Sequence, residues 1–248
     1  VVAIGSIEND DISKNSGHVR VYQNLNNSWN QIGDDIDGQV KGEQSGYSVS
    51  LNNDGTILAI GSTDKNDGKG QVNVYKYNDS SWNKMGDEID GVDEWGLNGY
   101  SISLNNDGNI LAIGAPFAYD ENNNVYPGNV RVFKYENDSS WNQIGNDIIG
   151  EDEDNASGSS VSLSNNGKIL AIGSPYSNVS KGHVRVYQFI DNDWNKIGNN
   201  IDGKASEDEF GHSVSISSNG TIVAIGAIGN DDNGTNSGHV SIYQLGHN

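Results

Sequence analysis

Residues 46–61 read GYSVSLNNDGTILAIG, and versions of this stretch recur along the chain. Its first half, with small and apolar residues in alternation, predicts one strand (strand A). The apolar run near its end predicts a second strand (strand B) that is buried on both faces. Between them, Asn53-Asp54-Gly55 supplies the positive φ that a tight hairpin requires. The Ala-Ile-Gly that ends strand B occurs five times, at 3–5, 59–61, 112–114, 171–173 and 224–226, which indicates a repeat protein.

Two further predicted strands recur at fixed positions relative to this motif. Strand C reads Gly-x-Val-x-Val-Tyr from Gly17, Gly70 and Gly182, with Phe133 and Ile242 as variants in the other two copies. Strand D carries Trp-Asn-x-Ile/Met-Gly at Trp29, Trp82, Trp141 and Trp194. Four short strands repeated at a fixed period are typical of a β-propeller. We therefore predict an all-β fold, a single β-propeller domain over 1–248 with five repeat units of about 1–52, 53–105, 106–164, 165–217 and 218–248.

The two ends of the chain predict incomplete blades. The sequence begins in strand B of its first repeat and stops after strand C of its fifth, at 243–245, so strands A and D occur only four times. Unpaired strand edges invite pairing with another segment. We expect the missing strands to come from sequence beyond these 248 residues or from a neighbouring subunit in a head-to-tail assembly, so that self-association is part of the function.

Composition narrows the classes of partner. The formal net charge of −20 repels phosphate backbones, so we expect no nucleic-acid partner, and cations are the natural counter-species. The chain contains no cysteine, which excludes disulfides and thiolate metal sites. We predict no transmembrane segment, because no apolar run is long enough to span a bilayer. No nucleophile elbow, phosphate loop or zinc signature is present, so we expect no enzymatic activity.

Phe210-Gly211 before the last A–B hairpin, together with Gly114-Ala115-Pro116 and Gly173-Ser174-Pro175 after strand B, resembles the FG-GAP repeat of integrin α-subunit propellers and related bacterial surface proteins. The resemblance covers essentially the whole chain. It implies a non-enzymatic structural or adhesive module that is extracellular or on the cell surface, with other protein subunits as partners. A glycan- or protein-binding, lectin-like propeller is the alternative, and the sequence leaves it open.

The same family often binds calcium in the A–B hairpin, but the hairpins of this chain lack the full set of ligands. The segment 50–58 has Ser at the first ligand position and no Asp at the last, and the turn at 215–220 has no carboxylate. We assign no metal site. If Ca²⁺ binds, we expect it in the acidic B–C and D–A loops, whose alternative interpretation is a solvated acidic rim. These loops contain Glu8 to Asp11, Asp93-Glu94, Asp120-Glu121, Glu151 to Asp154, Glu207 to Glu209 and Asn230 to Asp232.

Two residue types recur at fixed repeat positions. His18, His183 and His239 follow the Gly that begins strand C, where the other copies have Gln71 and Asn129, so we predict a repeated hydrogen-bonding role for this position. The strand-D tryptophans are predicted to pack between blades. Trp95, outside this pattern, is interpreted as a packing anchor equivalent to Phe210.

Acceptor sequences for N-glycosylation are frequent. Three of them fall in the C–D turn just before Trp, where a glycan would point into solvent. The seven acceptor asparagines are Asn26, Asn78, Asn137, Asn155, Asn178, Asn219 and Asn233.

Overall fold

The computed structural model describes residues 1–120, 123–136, 140–151, 153 and 155–246, which form five antiparallel sheets. The first sheet contains β1 (Val2–Ser6), β2 (His18–Leu25), β3 (Ser28–Gln31) and β4 (Ile36–Asp37). The second contains β5 (Ser45–Leu51), β6 (Ile57–Ser62), β7 (Gln71–Asn78), β8 (Ser81–Lys84) and β9 (Ile89–Asp90). The third contains β10 (Ser101–Leu104), β11 (Ile110–Ala115), β12 (Asn129–Glu136), β13 (Ser140–Gln143) and β14 (Ile148–Ile149).

The fourth sheet contains β15 (Ser160–Leu163), β16 (Ile169–Ser174), β17 (His183–Ile190), β18 (Asp193–Lys196) and β19 (Ile201–Asp202). The fifth contains β20 (Phe210–Ile216), β21 (Ile222–Ala227) and β22 (His239–Gln244). Two short turns with positive φ inside them, α1 (Lys65–Gly68) and α2 (Ser177–Ser180), lie in the B–C loops of the second and fourth sheets. The sheets are the blades of the predicted all-β propeller, which confirms the fold.

Strands follow one another in the order A, B, C, D in the second to fourth blades, with one difference from the sequence prediction. Strand D is broken into two pieces that both pair with strand C. In the first blade β3 pairs with the far half of β2, whereas β4 pairs with its first two residues, His18 and Val19. The break contains Gly33, whose φ of +73° turns the chain between the two pieces. From the second sheet onward, the structural blades begin one strand earlier than the sequence units, because each of these sheets starts with its own strand A.

Each junction between consecutive blades joins two different faces. The face that a blade turns toward the following blade, here called its forward face, carries both valines of strand C. The opposite face, here called its rear face, carries the apolar residues of strand A, the Leu and second Ile of strand B, the aromatic residue of strand C and the Trp of strand D. At the third junction, for example, Val130 and Val132 share one buried cluster with Leu170, Ile172 and Trp194 of the fourth blade. The core is therefore a series of interfaces between blades.

Next to these clusters, consecutive blades approach so closely that only glycine fits. A Cβ on Gly173 would lie 2.0 Å from the carbonyl oxygen of Gly211 in the next blade. Ser160 Oγ also donates a hydrogen bond of 2.8 Å to this carbonyl oxygen. The same approach occurs at the three earlier junctions, between Gly5 and Gly46, Gly61 and Gly99, and Gly114 and Gly158. The last residue of Ala-Ile-Gly must therefore be glycine at these junctions, because the backbone of the neighbouring blade leaves no room for a Cβ.

We predict that Gly173→Ala lowers the free energy of unfolding by at least about 2 kcal/mol, because the new methyl group overlaps backbone that cannot rotate away. Gly226→Ala is the matched control. Gly226 ends the last Ala-Ile-Gly, and a Cβ there meets only its own sheet, with Ser213 Oγ as the nearest atom. Urea denaturation measures both values, and equal losses would contradict the account.

The tryptophans of strand D tie each blade to the preceding one. Trp82, Trp141 and Trp194 donate their indole N–H to the backbone oxygens of Ile32, Met85 and Ile144, at 2.8 to 3.1 Å. Trp29, in the first blade, makes no such contact with an earlier blade and is 58% exposed. The predicted packing between blades is therefore confirmed for three tryptophans, and Trp29 is the exception.

Trp194→Ala is expected to lower the free energy of unfolding by about 3–5 kcal/mol, since the ring is 7% exposed and its removal leaves a cavity. Trp29→Ala removes the same side chain from the same repeat position without creating a cavity. We expect that variant to lose less than about 1 kcal/mol. A comparison of the two thermal or urea transitions tests this difference, and a loss of similar size in both variants would show that the junctions are not the source of stability.

Candidate functional site: the end blades

The first blade has an uncovered rear face. Val2 and Ile4 occupy the positions of Leu58 and Ile60 in the second blade, which are buried, yet they are 37% and 53% exposed. Trp29 lies on the same face. Strand β1 has β2 on one side and no strand A on the other among the described residues, so its outer edge is unpaired. This blade thus presents apolar side chains and an open strand edge together.

The fifth blade has an uncovered forward face. Val240 and Ile242 stand at the strand-C positions whose valines are at most 3% exposed in the other four blades, but they are 68% and 72% exposed here. Ile222, also on this blade, is exposed as well. The fifth sheet has the order β20-β21-β22 and lacks a strand D among the described residues. The first and fifth sheets are both consistent with the prediction that the terminal blades are incomplete.

A groove of about 790 Å³ lies beside the open edge of β22. Ile197 and Ile201 of the fourth blade line one side, and Tyr243 and Leu245 of the fifth blade line the other. At the three earlier junctions, a strand-D Trp occupies the corresponding place and donates to the backbone oxygen that corresponds to that of Ile197. The groove is therefore the position left by the absent strand D.

Three carboxylates of the first blade gather around His18 Nδ1. The carboxylate oxygens of Asp11, Asp35 and Asp37 lie 3.7, 3.8 and 3.9 Å from this nitrogen. The His18 side chain is only 7% exposed, and neither its Nδ1 nor Asp37 Oδ1 has a hydrogen-bond partner among the described residues. We call this group the His18 cluster. The sequence analysis named His18 and Asp11 but missed Asp35 and Asp37, because strand D returns to the start of strand C only after its break.

The electrostatics of the His18 cluster are unbalanced. Arg20 binds Asp35 through two nitrogens at 2.7 and 2.8 Å, and this interaction lowers the pKa of Asp35. Burial, reinforced by the Asp35 carboxylate, raises the pKa of Asp37. Three carboxylates therefore face one guanidinium group, so the cluster has excess negative charge when its acids are ionised.

The other histidines at this repeat position have different neighbours. In the second blade Gln71 Nε2 donates to Asp90 Oδ1 at 2.7 Å, the hydrogen bond that the sequence pattern predicted. His183 is buried with Nε2 unpartnered, and His239 Nε2 lies 3.0 Å from Ser241 Oγ. The predicted hydrogen-bonding role is thus seen at Gln71 and His239, and the partner changes because the residues opposite strand C differ between blades.

The A–B hairpins use their polar side chains to close their own turns. Asp54 Oδ1 accepts hydrogen bonds from the backbone N–H and the hydroxyl of Thr56, which lower the pKa of Asp54. Asn52 Oδ1 accepts from Thr56 and Ile57 N–H. In the last hairpin Asn219 Oδ1 accepts from Thr221 in the same way. These side-chain oxygens therefore already accept hydrogen bonds within their own turns.

Other acidic loops also bind their own backbone. Glu43 Oε2 accepts from the backbone N–H groups of Gln39 and Val40 and pairs with Lys65. Asp208 Oδ2 accepts from the backbone N–H of Ala205. Part of the cluster 151–154, as well as Glu121, lies outside the described residues.

Trp95 is not equivalent to Phe210, which corrects that part of the sequence analysis. Gly70 and Gly182 begin strand C in their blades and press against Asn98 and Phe210 respectively, so Asn98 is the counterpart of Phe210. Trp95 lies in the loop three residues earlier and is 67% exposed.

The predicted glycan acceptors differ in accessibility. Asn26 and Asn78 are exposed at the C–D turns, and Asn178, Asn219 and Asn233 are exposed in other loops. Asn155 is 1% exposed, so its side-chain amide has no room for a glycan in the folded blade. Asn137 lies outside the described residues.

Comparison with known proteins gives a family match for one part of the chain. Residues 201–243, from β19 through nearly all of β22, match the family model of the FG-GAP repeat. The search of curated proteins found no match. Within the described residues, no helix is long and apolar enough to cross a membrane. The chain is therefore an all-β propeller array that contains an FG-GAP repeat.

Proposed function

We propose that this chain is a non-enzymatic structural or adhesive module of the cell surface or extracellular space, which associates with protein partners through its two end faces. The FG-GAP repeat at 201–243 supports this class, because such repeats are typical of surface and adhesion proteins. The observation that carries the proposal is the exposure of Val240 and Ile242, at positions where every other blade is covered by the next one.

The repeat also indicates what covers these faces. All four internal junctions join a forward face to a rear face, and the two uncovered faces are one of each kind. The rear face of the first blade in a second copy therefore fits the forward face of the fifth blade. Gly226 has no neighbouring backbone against it, so it is free for the close approach that Gly5 and Gly173 make. These faces fit further blades of the same protein or a second copy of this chain in a head-to-tail arrangement, and the second copy is the partner that we propose.

Energetics favour a weak, extendable contact. Burying Val240 or Ile242 fully contributes about 1.5–3 kcal/mol each, whereas association costs about 4–15 kcal/mol in lost rigid-body freedom. Several residues of each face must therefore be covered together. The net charge of −20 on each copy opposes association at low ionic strength. We infer that assembly strengthens as salt screens this repulsion.

The lectin-like alternative predicts the same ligand pocket at every junction. The groove beside β22 is not such a pocket, because Trp82, Trp141 and Trp194 fill the corresponding place at the other junctions. The N-glycan acceptors Asn26 and Asn78, exposed at matching C–D turns, fit a location outside the cell.

Light scattering after size-exclusion chromatography tests the proposed association. We expect the average mass of the 248-residue chain to increase with protein concentration and with salt. Ile242→Glu places a charge on the forward face and is expected to leave a monomer. Val92→Glu is the matched control, because Val92 is 69% exposed in a D–A loop away from both faces. A wild-type chain that stays monomeric at millimolar concentration, or equal association by Ile242→Glu, would refute the proposal.

A further inference from the structure

We propose that the His18 cluster binds a divalent transition-metal ion of the Zn²⁺ class. Its four ligands are His18 Nδ1 and one carboxylate oxygen each from Asp11, Asp35 and Asp37, and these four atoms lie within 4.8 Å of one another. The site differs from the A–B hairpins, because its ligands come from the B–C loop and from strands C and D.

The unsatisfied His18 nitrogen is the observation that points to a ligand. A buried polar atom without a hydrogen bond is costly, and buried polar groups in folded proteins are normally paired. His18 Nδ1 is directed at three carboxylates, but 3.7 to 3.9 Å is too long for a hydrogen bond to any of them. In a tetrahedral site with metal–ligand bonds of about 2.0–2.1 Å, neighbouring ligand atoms lie about 3.3 Å apart. To hold an ion, the distances from His18 Nδ1 to the carboxylates would shorten by about half an ångström, and ligand atoms as far apart as 4.8 Å would approach by up to about 1.5 Å.

The charge of the cluster matches a divalent cation. Asp11, Asp35 and Asp37 carry three carboxylates, and Arg20 pairs with one of them. The other two carboxylates would balance the charge of a divalent ion.

The ligand set selects the type of metal. Imidazole nitrogen suits zinc and neighbouring transition metals, whereas Ca²⁺ takes six to eight oxygen ligands. A site with one imidazole and three carboxylates therefore favours Zn²⁺ over Ca²⁺. The bound ion would join the B–C loop to strands C and D of the first blade, whose strand B has an unpaired edge.

Related blades contain incomplete versions of the site. The fifth blade repeats the B–C loop of the first: Asp11 N–H donates to Asn9 Oδ1 at 3.0 Å, and Asp232 N–H donates to Asn230 Oδ1 at 3.2 Å. Its His239 lacks the strand-D acids among the described residues. The fourth blade has His183 and Asp202 but carries Asn200 where the first blade has Asp35. These positions provide natural controls.

The test is calorimetric titration of tag-free, chelator-treated 248-residue chain with Zn²⁺ and, separately, with Ca²⁺. We expect one Zn²⁺ per chain and weaker binding of Ca²⁺. His18→Gln installs the residue that the second blade carries at this position, so the blade retains a side chain already accepted there. Asp37→Asn preserves the shape of a second ligand, whose side chain is 25% exposed. Each variant is expected to lose at least about tenfold in Zn²⁺ affinity.

His183→Gln and Asp232→Asn are the matched controls, and we expect both to bind Zn²⁺ as the unmodified chain does. Co²⁺ supplies a second readout, because a tetrahedral site gives intense visible absorption that His18→Gln should abolish. Absence of stoichiometric Zn²⁺ binding at millimolar metal would overturn the proposal. So would Zn²⁺ binding that both His18→Gln and Asp37→Asn leave intact, or tighter binding of Ca²⁺ than of Zn²⁺.

Discussion

The rest of the structure depends on the contact between glycine backbones of consecutive blades, such as Gly173 against the Gly211 carbonyl oxygen. Because no side chain fits there, strand B of one blade lies directly against strand A of the next. This approach brings the strand-C valines of one blade into contact with the Leu and Ile of the next, and the Trp of strand D closes the outer part of the junction. Each blade alone is a small sheet with two apolar faces, so the unit of stability is the junction.

The exposed apolar residues of the end blades follow from the same close packing between blades. A blade without a neighbour exposes the residues that the motif evolved to bury, as Val240 and Ile242 show on one side and Ile4 and Trp29 on the other. These faces are complementary because the junction is asymmetric. Such an interface is heterologous, so it generates open filaments or closed rings according to the rotation between copies. The His18 cluster lies in the first blade, where it would hold the B–C loop against strand D.

The repeat motifs predicted most of the fold, because each motif position has one structural role. Ala-Ile-Gly, the Asn/Asp-Gly turns and the strand-D Trp located the blades and their incomplete ends. The sequence could not predict the His18 cluster, since Asp35 and Asp37 reach His18 only through the break in strand D at Gly33. Trp95 was misassigned because the D–A loops differ in sequence between repeats, and alignment on aromatic residues missed Asn98.

Thiol cross-linking between copies tests most directly the claim that the end faces are the two halves of one junction. The chain has no cysteine, so Ile4→Cys and Ile242→Cys each carry a single thiol, on the rear and forward end faces respectively. A short bis-maleimide is added to each variant alone and to an equimolar mixture. The account predicts efficient cross-linked dimers in the mixture and few in either variant alone. Equal yields in all three samples, or dimers mainly within one variant, would contradict it.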